Sequence, residues 1–208
     1  MANPWLKWAQ ELQFLSQSAL AYCKDKYDIE RFRRIREISG EMAAALGDMP
    51  LEEIRADFCL GTGYQTPKLD TRAAVIRDGR ILLVREANGQ WALPGGWVDY
   101  DLTVRQNAVK EVLEEAGMAV EPLRVIALHD HNARNRTLYL NNICSVFVLC
   151  RYLSGEFTPN IETVGCGFFG PDEIPAPLAE NKTTAAQIAM CFRAAADDGW
   201  LVEVDCGG

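Results

Sequence analysis

The sequence predicts an α/β protein: an α/β/α sandwich built on a mixed sheet, preceded by a small helical domain. Three observations carry this. The first 60 or so residues show apolar spacing of helical period and no strand-like alternation. Residues 61–67, Gly-Thr-Gly-Tyr-Gln-Thr-Pro, then have linker composition. Beyond them, short runs rich in β-branched and bulky residues alternate with turn dipeptides and two longer helical patterns. The division falls at a helical module over 1–66 and a second domain over 67–208. A chain of 208 residues suffices for one ordinary domain plus a small one.

In chain order, Asn3 caps a first helix with Pro4 in its opening position. Trp5, Trp8, Leu12, Leu15 and Ala19 form one stripe along it. A second helix starts from Asp28, with Ile29, Phe32, Ile35 and Met42 toward one side and Arg31, Arg33, Arg34 and Arg36 around the rest. That arginine run reads either as a solvated face or as a phosphate site. A third, shorter helix covers Leu51 to Cys59. After the linker, Arg72–Ile76 and Arg80–Val84 flank Asp78-Gly79, a hairpin turn. Asn88-Gly89 turns the chain again before Trp91-Ala92-Leu93. Thr103-Val104-Arg105-Gln106 is a capping box, and the helix it opens ends at Gly117. Leu123–Leu128, Ile143–Leu153 and Val164–Phe169 read as strands, and Thr183–Ala196 as a closing helix.

Composition narrows the class. No apolar run is long enough to cross a bilayer, and Met1–Lys7 lacks the basic and apolar regions of a signal peptide. Seven cysteines, odd in number and without a Cys-x-x-Cys pair, read as reduced thiols, which places the protein in the cytoplasm. A net charge of −8 argues against nucleic acid as a partner. A small anionic ligand is still open to it, because a bound metal inverts the local field.

The most specific signal is Glu111, Glu114 and Glu115 in the run Lys110-Glu111-Val112-Leu113-Glu114-Glu115-Ala116-Gly117-Met118. Positions three and four apart share a helix face, so three carboxylates crowd one turn. A hard divalent cation such as Mg²⁺ is their natural partner, since it takes oxygen ligands and retains water. Upstream, Leu93-Pro94-Gly95-Gly96-Trp97 reads as a tight glycine turn entering the loop before this helix.

These residues resemble the Nudix hydrolase family, whose box runs Gly-x5-Glu-x7-Arg-Glu-U-x-Glu-Glu-x-Gly-U with U a bulky aliphatic residue. Gly96 opens the box, Glu111, Glu114 and Glu115 take its later glutamates, and Gly117 and Met118 close it. Two positions depart: the first glutamate falls on Leu102, next to Asp101, and the arginine on Lys110. In the family that pair steadies the acidic residues. Trp5-Leu6-x-Trp8-Ala9 and Tyr27-Asp28-x-Glu30-Arg31-Phe32-x-x-Ile35 further resemble the helical N-terminal module of one subgroup. That subgroup hydrolyses nucleoside diphosphates linked to a group X, among them ADP-ribose and CDP-choline. The resemblance implies a Nudix α/β/α sandwich, a homodimer, and hydrolysis of a nucleotide pyrophosphate bond with Mg²⁺, or Mn²⁺ as substitute. The loss of the Glu–Arg pair leaves a second class open, a catalytically weak nucleotide-binding or sensor protein on the same fold.

By this reading Glu111, Glu114 and Glu115 hold the metal, with the carbonyl of Gly95 or Gly96 as a further ligand. Glu162, before the last strand, resembles the loop glutamate that serves several Nudix enzymes as base, with Glu156, Glu173 and Glu180 as rivals. Gly95, Gly96, Trp97 and Arg136 are the substrate contacts, Trp97 stacking on a base in preference to Trp91 or Tyr100. The stretch His129–Arg136 reads as a solvated loop or as a substrate loop whose Arg134 or Arg136 meets a phosphate.

Overall fold

A computed structural model describes residues 4–46, 50–135 and 141–205, apart from the side chain at position 57. The Asn3 cap, the proposed substrate contact Arg136, and Cys206 lie outside the described residues. The chain divides into two compact units, Met1–Pro67 with Tyr139–Asn142, and Lys68–Leu138 with Ile143–Gly208.

The first unit is helical: α1 (Pro4–Tyr22), α2 (Lys26–Leu46) and α3 (Leu51–Phe58). Helix α2 begins before Asp28, because the Asp25 carboxylate accepts the backbone N–H groups of Tyr27 and Asp28 and satisfies the first turn. The core is Ala9, Ala43, Ile54 and Phe58. The inward face of α1 departs from the apolar stripe: Ala9, Gln13, Ser16 and Gln17 are buried, while Trp5, Trp8 and Leu15 are exposed. Small side chains let α1 approach α2 closely. The buried glutamines donate to backbone, Gln13 to the Phe58 carbonyl at 2.6 Å and Gln17 to that of Gly63 at 3.1 Å, while Gln13 Oε1 is buried without a hydrogen bond. Two of the four arginines of α2 pair with surface carboxylates, Arg31 with Asp28 and Arg34 with Glu37 and Glu41, and Arg36 donates to the Gly61 carbonyl, which favours the solvated-face reading.

The second unit is built on a mixed seven-stranded sheet. Its strands are β1 (Lys68–Arg77), β2 (Arg80–Glu86), β3 (Trp91–Ala92), β4 (Met118–Asp130), β5 (Ile143–Gly155), β6 (Thr163–Phe169) and β7 (Glu203–Val204). They run in the order β3-β2-β1-β5-β4-β7, with β6 also on β2. Strands β1 and β5 are parallel; β1–β2, β4–β5 and β2–β6 are antiparallel. Helices α4 (Val104–Ala116) and α6 (Ala185–Ala196) lie on opposite faces. Alternate residues of the strands divide between them. Ala73, Val75, Leu82 and Val84 pack with Ala108, Val112 and Ala116 of α4. Ala74, Ile81 and Leu83 pack with Ile188, Met190, Cys191 and Ala194 of α6. This is the α/β/α sandwich that the strand and helix patterns predict.

Local chemistry sets the boundaries. Asp78 (φ 51°) and Gly79 (φ 73°) take the left-handed conformation that a tight hairpin turn requires. The Thr103–Gln106 capping box opens α4, and Gly117 (φ 66°) ends it, its N–H donating to the Leu113 carbonyl. Strand β1 starts at Lys68, four residues before its predicted start, because Lys68–Thr71 pair with the beginning of β5. Among the described residues no helix is long and apolar enough to cross a membrane.

Candidate active site

The site forms where the loop after β3 meets α4. Gly95 lies against β1 so tightly that a Cβ there would sit 1.9 Å from the Thr71 carbonyl oxygen; no other residue fits. Its peptide is held at both ends. The Gly95 N–H donates to Glu115 Oε2 at 3.0 Å, and its carbonyl accepts from Arg72 Nη1 at 2.9 Å. Arg72 is buried and pairs with buried Asp70, Nε and Nη2 reaching the same carboxylate oxygen at 3.0 and 2.6 Å. The Gly96 carbonyl accepts from the Thr71 N–H at 2.9 Å. Buried Asn107 of α4 donates to Thr71 Oγ1 at 2.8 Å and accepts from the Asp99 N–H at 3.4 Å. Loop and helix are thus fixed to β1 and to each other.

Glu111, Glu114 and Glu115 occupy three environments. Glu111 is buried, and a Cβ on Gly96 would lie 2.9 Å from its Oε2, so the second glycine also makes room. Burial raises its carboxyl above the usual range, Lys110 partly opposing the shift. Burial pushes Glu115 up to about 7, opposed by the Gly95 hydrogen bond and the Arg72 charge. Glu114 is exposed. Lys110 stands among the acids: its Nζ is 3.0 Å from Asp99 Oδ2, 3.4 Å from Glu114 Oε2 and 3.5 Å from Glu111 Oε1. Asp99, before any other neighbour, holds the ammonium above the usual lysine range. The carboxylate nearest Lys110 is therefore Asp99.

Among the described residues no three His, Cys, Asp or Glu side chains already converge as a metal cage. The reason is local: the Lys110 ammonium lies between Glu111 and Glu114, and Glu115 faces the Gly95 N–H. The donor chemistry nonetheless suits a hard cation. Two carboxylates are raised by desolvation, so ionising them calls for a compensating positive charge. The carbonyls of Gly95 and Gly96 are each engaged by a protein donor.

The other candidates scatter. Glu162 is exposed on the loop before β6. That loop is tied to α4 by Asn160, whose Nδ2 donates to the Glu114 carbonyl at 2.9 Å, and to β2 by the Ala87 N–H, which donates to the Glu162 carbonyl at 3.2 Å. Glu173 is paired with Arg80, and Glu156 is exposed beyond β5. Trp97 is half exposed with the Lys68 ammonium 5.4 Å from its ring centre. Trp91 instead packs edge-on against Phe169 next to the α6-side core. The described part of the His129–Arg136 stretch, the end of β4 and the turn of helix after it, is not a solvated loop. His129 and His131 are buried, the first hydrogen-bonded to Glu203 at 3.2 Å, and helix α5 (His131–Arg134) follows. Arg134 pairs with Glu203 and Asp205 and so ties the C-terminal strand down. Sequence reasoning missed Asp70, Arg72, Asn107 and Asp99. For the first two a signal existed: charges two apart in a strand point to one face.

Residues 3–58 match the family described as the UDP-X-like, N-terminal oligomerisation domain, and residues 67–189 match the NUDIX domain. YjhB of Bacillus subtilis strain 168, provisionally named an ADP-ribose pyrophosphatase, is 36% identical over 189 residues, 90% of each chain. The crystal structure of an ADP-ribose pyrophosphatase from Streptococcus suis is 50% identical, covering 67% of this chain and 100% of that one, with a TM-score of 0.63. The crystal structure of a UDP-X diphosphatase is 28% identical, covering 97% and 98% of the two chains, also with a TM-score of 0.63.

Proposed function

The chain belongs to the Nudix hydrolase family, and from that premise we propose that it hydrolyses the pyrophosphate bond of a nucleoside diphosphate linked to a second group. ADP-ribose is the substrate best supported, since two relatives carry that activity in their names. CDP-choline and UDP-linked compounds belong to the same chemical class. The observation that carries the reading is the Gly95–Glu115 hydrogen bond, which joins the glycine turn to the acidic helix.

Glu111, Glu114 and Glu115 would hold Mg²⁺, with Mn²⁺ as substitute. When bound, the ion neutralises phosphate oxygens and lowers the pKa of an attacking water. The residues of the chain do the rest. Gly95 and Gly96 hold the turn close against β1 and Glu111, where its backbone would meet the diphosphate. Trp97 offers an exposed ring to a base, and Arg136 a guanidinium to a phosphate. Glu162 takes the water proton as the new P–O bond forms and the bridging P–O bond breaks. A second reading, weak catalysis with retained nucleotide binding, rests on the Lys110 ammonium among the carboxylates.

One assay separates these. The full chain with saturating Mg²⁺ is given ADP-ribose, CDP-choline, a UDP-sugar and a set of triphosphates including 8-oxo-dGTP, and products are resolved by chromatography. ADP-ribose is expected to give the highest kcat/KM. A triphosphate ranking first would overturn the substrate class. Tight binding with negligible turnover throughout would favour the sensor reading.

The assembly proposed is a homodimer formed through the first unit, in the cytoplasm, where the six described free thiols stay reduced. Trp5 and Trp8, edge to face at 5.1 Å, stay about half exposed beside Leu15. An exposed apolar stripe of this kind marks an interaction surface. Light scattering at micromolar concentration is expected to give twice the chain mass, and Trp5→Ser with Trp8→Ser the single mass. A monomeric native chain would sink this assignment.

A further inference from the structure

The Lys110 ammonium faces three carboxylates, and only two of them belong to the proposed metal set. Asp99 is the third and the nearest, at 3.0 Å against 3.4 Å for Glu114 and 3.5 Å for Glu111. An ammonium carries three donors and can serve all three groups at once. It is also a cation beside two of the carboxylates assigned to the metal. Lysine is a flexible point charge, so where it rests depends on which acceptor is best fixed.

The backbone of Asp99 is held on both sides. Its carbonyl accepts from the Leu102 N–H at 3.0 Å, which closes a turn. Its N–H donates to Asn107 Oδ1 at 3.4 Å, and fully buried Asn107 is anchored to β1 through Thr71. Asn107 and Lys110 are three apart on α4, so they share a face, and the loop at Asp99 lies over both. The Leu102 side chain, three residues on, has no acceptor to offer.

We propose that Asp99 is a positioning residue that shares the Lys110 ammonium with Glu111 and Glu114 and retains it when a divalent cation takes those two carboxylates. Without Asp99 the ammonium has only the two metal carboxylates left among these three and competes for them. The inference rests on the metal site assigned above, and its consequence is specific. Removing Asp99 weakens metal binding through Lys110, so removing Lys110 as well relieves the defect. A brace that merely joined loop to helix would behave otherwise: its loss would lower the melting temperature together with metal affinity, whereas a displaced ammonium lowers affinity while the melt holds.

The test is direct Mn²⁺ binding by titration calorimetry on the full chain without nucleotide, with a thermal melt of each variant. Asp99→Asn is expected to weaken Mn²⁺ affinity about tenfold, the scale typical of outer residues at metal sites. Asp99→Asn with Lys110→Met is expected to return to wild-type affinity or tighter. Asp99→Glu, which keeps the carboxylate, is expected to bind more tightly than Asp99→Asn. Should Asp99→Asn fail to fold, Lys110→Met alone decides: equal or tighter binding than wild type supports the proposal, and weaker binding overturns it. Unchanged affinity in Asp99→Asn, or a double variant as weak as the single, overturns the role of Asp99 while the metal site stands. A wild-type chain that takes up no Mn²⁺ overturns the site and this inference together.

Discussion

Glu115→Gln is expected to lower kcat on ADP-ribose by about two to three orders of magnitude at saturating Mg²⁺, the scale on which one charge-stabilising group acts. The substitution is close to isosteric. The glutamine oxygen can still accept from the Gly95 N–H, so the loop stays on the helix. What disappears is the charge. Glu115 is largely buried, and desolvation pushes its carboxyl up to about 7. A neutral amide removes that cost, so the melting temperature is expected to hold or rise slightly. Rate and stability therefore move independently, which sets this position apart from a purely structural one. Glu114→Gln, at an exposed carboxylate, should lower the rate in the same direction with still less effect on folding. Near-wild-type rates in both variants at saturating Mg²⁺ would mean the helix carboxylates are not the metal ligands.

What could be read in advance is what depends on near neighbours along the chain. The acidic face of α4 follows from helical spacing, and its ends from the Thr103–Gln106 box and Gly117. The hairpin at Asp78-Gly79 follows from the turn's need for positive φ. What stayed hidden depends on pairing between distant segments. Strand β4 starts directly after α4 at Met118, but Glu121 and Pro122 mask it, and its pairing with β5 shifts register at three places. Two-residue β7 takes its identity from β4 alongside it. In α1 the apolar stripe was legible but its destination was not. Small residues and backbone-bonded glutamines face inward, leaving the tryptophans outside. At the site, both members of the expected Glu–Arg link are replaced, and the acceptor for Lys110 came from Asp99 rather than from the residue beside Leu102. The spacing of one helix could not supply that, because it is set by a turn folding back over α4.

Arg72→Met is expected to cost about 3–5 kcal/mol in the folding of the second unit, the usual price of breaking a buried ion pair from one side. The guanidinium and the Asp70 carboxylate are only 7% and 5% exposed. Removing the arginine leaves a buried carboxylate without its countercharge and takes a donor from the Gly95 carbonyl. Methionine fills similar volume, so little of the loss comes from an empty cavity. The consequence reaches the site, because Arg72 also opposes the upward shift of Glu115. Without it the Glu115 carboxyl moves further up and is less ionised at neutral pH, so a rate loss should accompany the loss of stability. Arg72→Lys is expected to fall between, since one point charge cannot span Asp70 and Gly95 as the planar fork does. Asp70→Asn combined with Arg72→Met removes the orphaned charge and should recover part of the stability, a positive coupling between touching residues. Chemical denaturation that resolves the two units measures all three variants. A loss below about 1 kcal/mol for Arg72→Met would put the pair among ordinary surface ion pairs. A double variant no more stable than the single one would show that Asp70 has another source of compensation, and that loss of the hydrogen bond to the Gly95 carbonyl accounts for the effect.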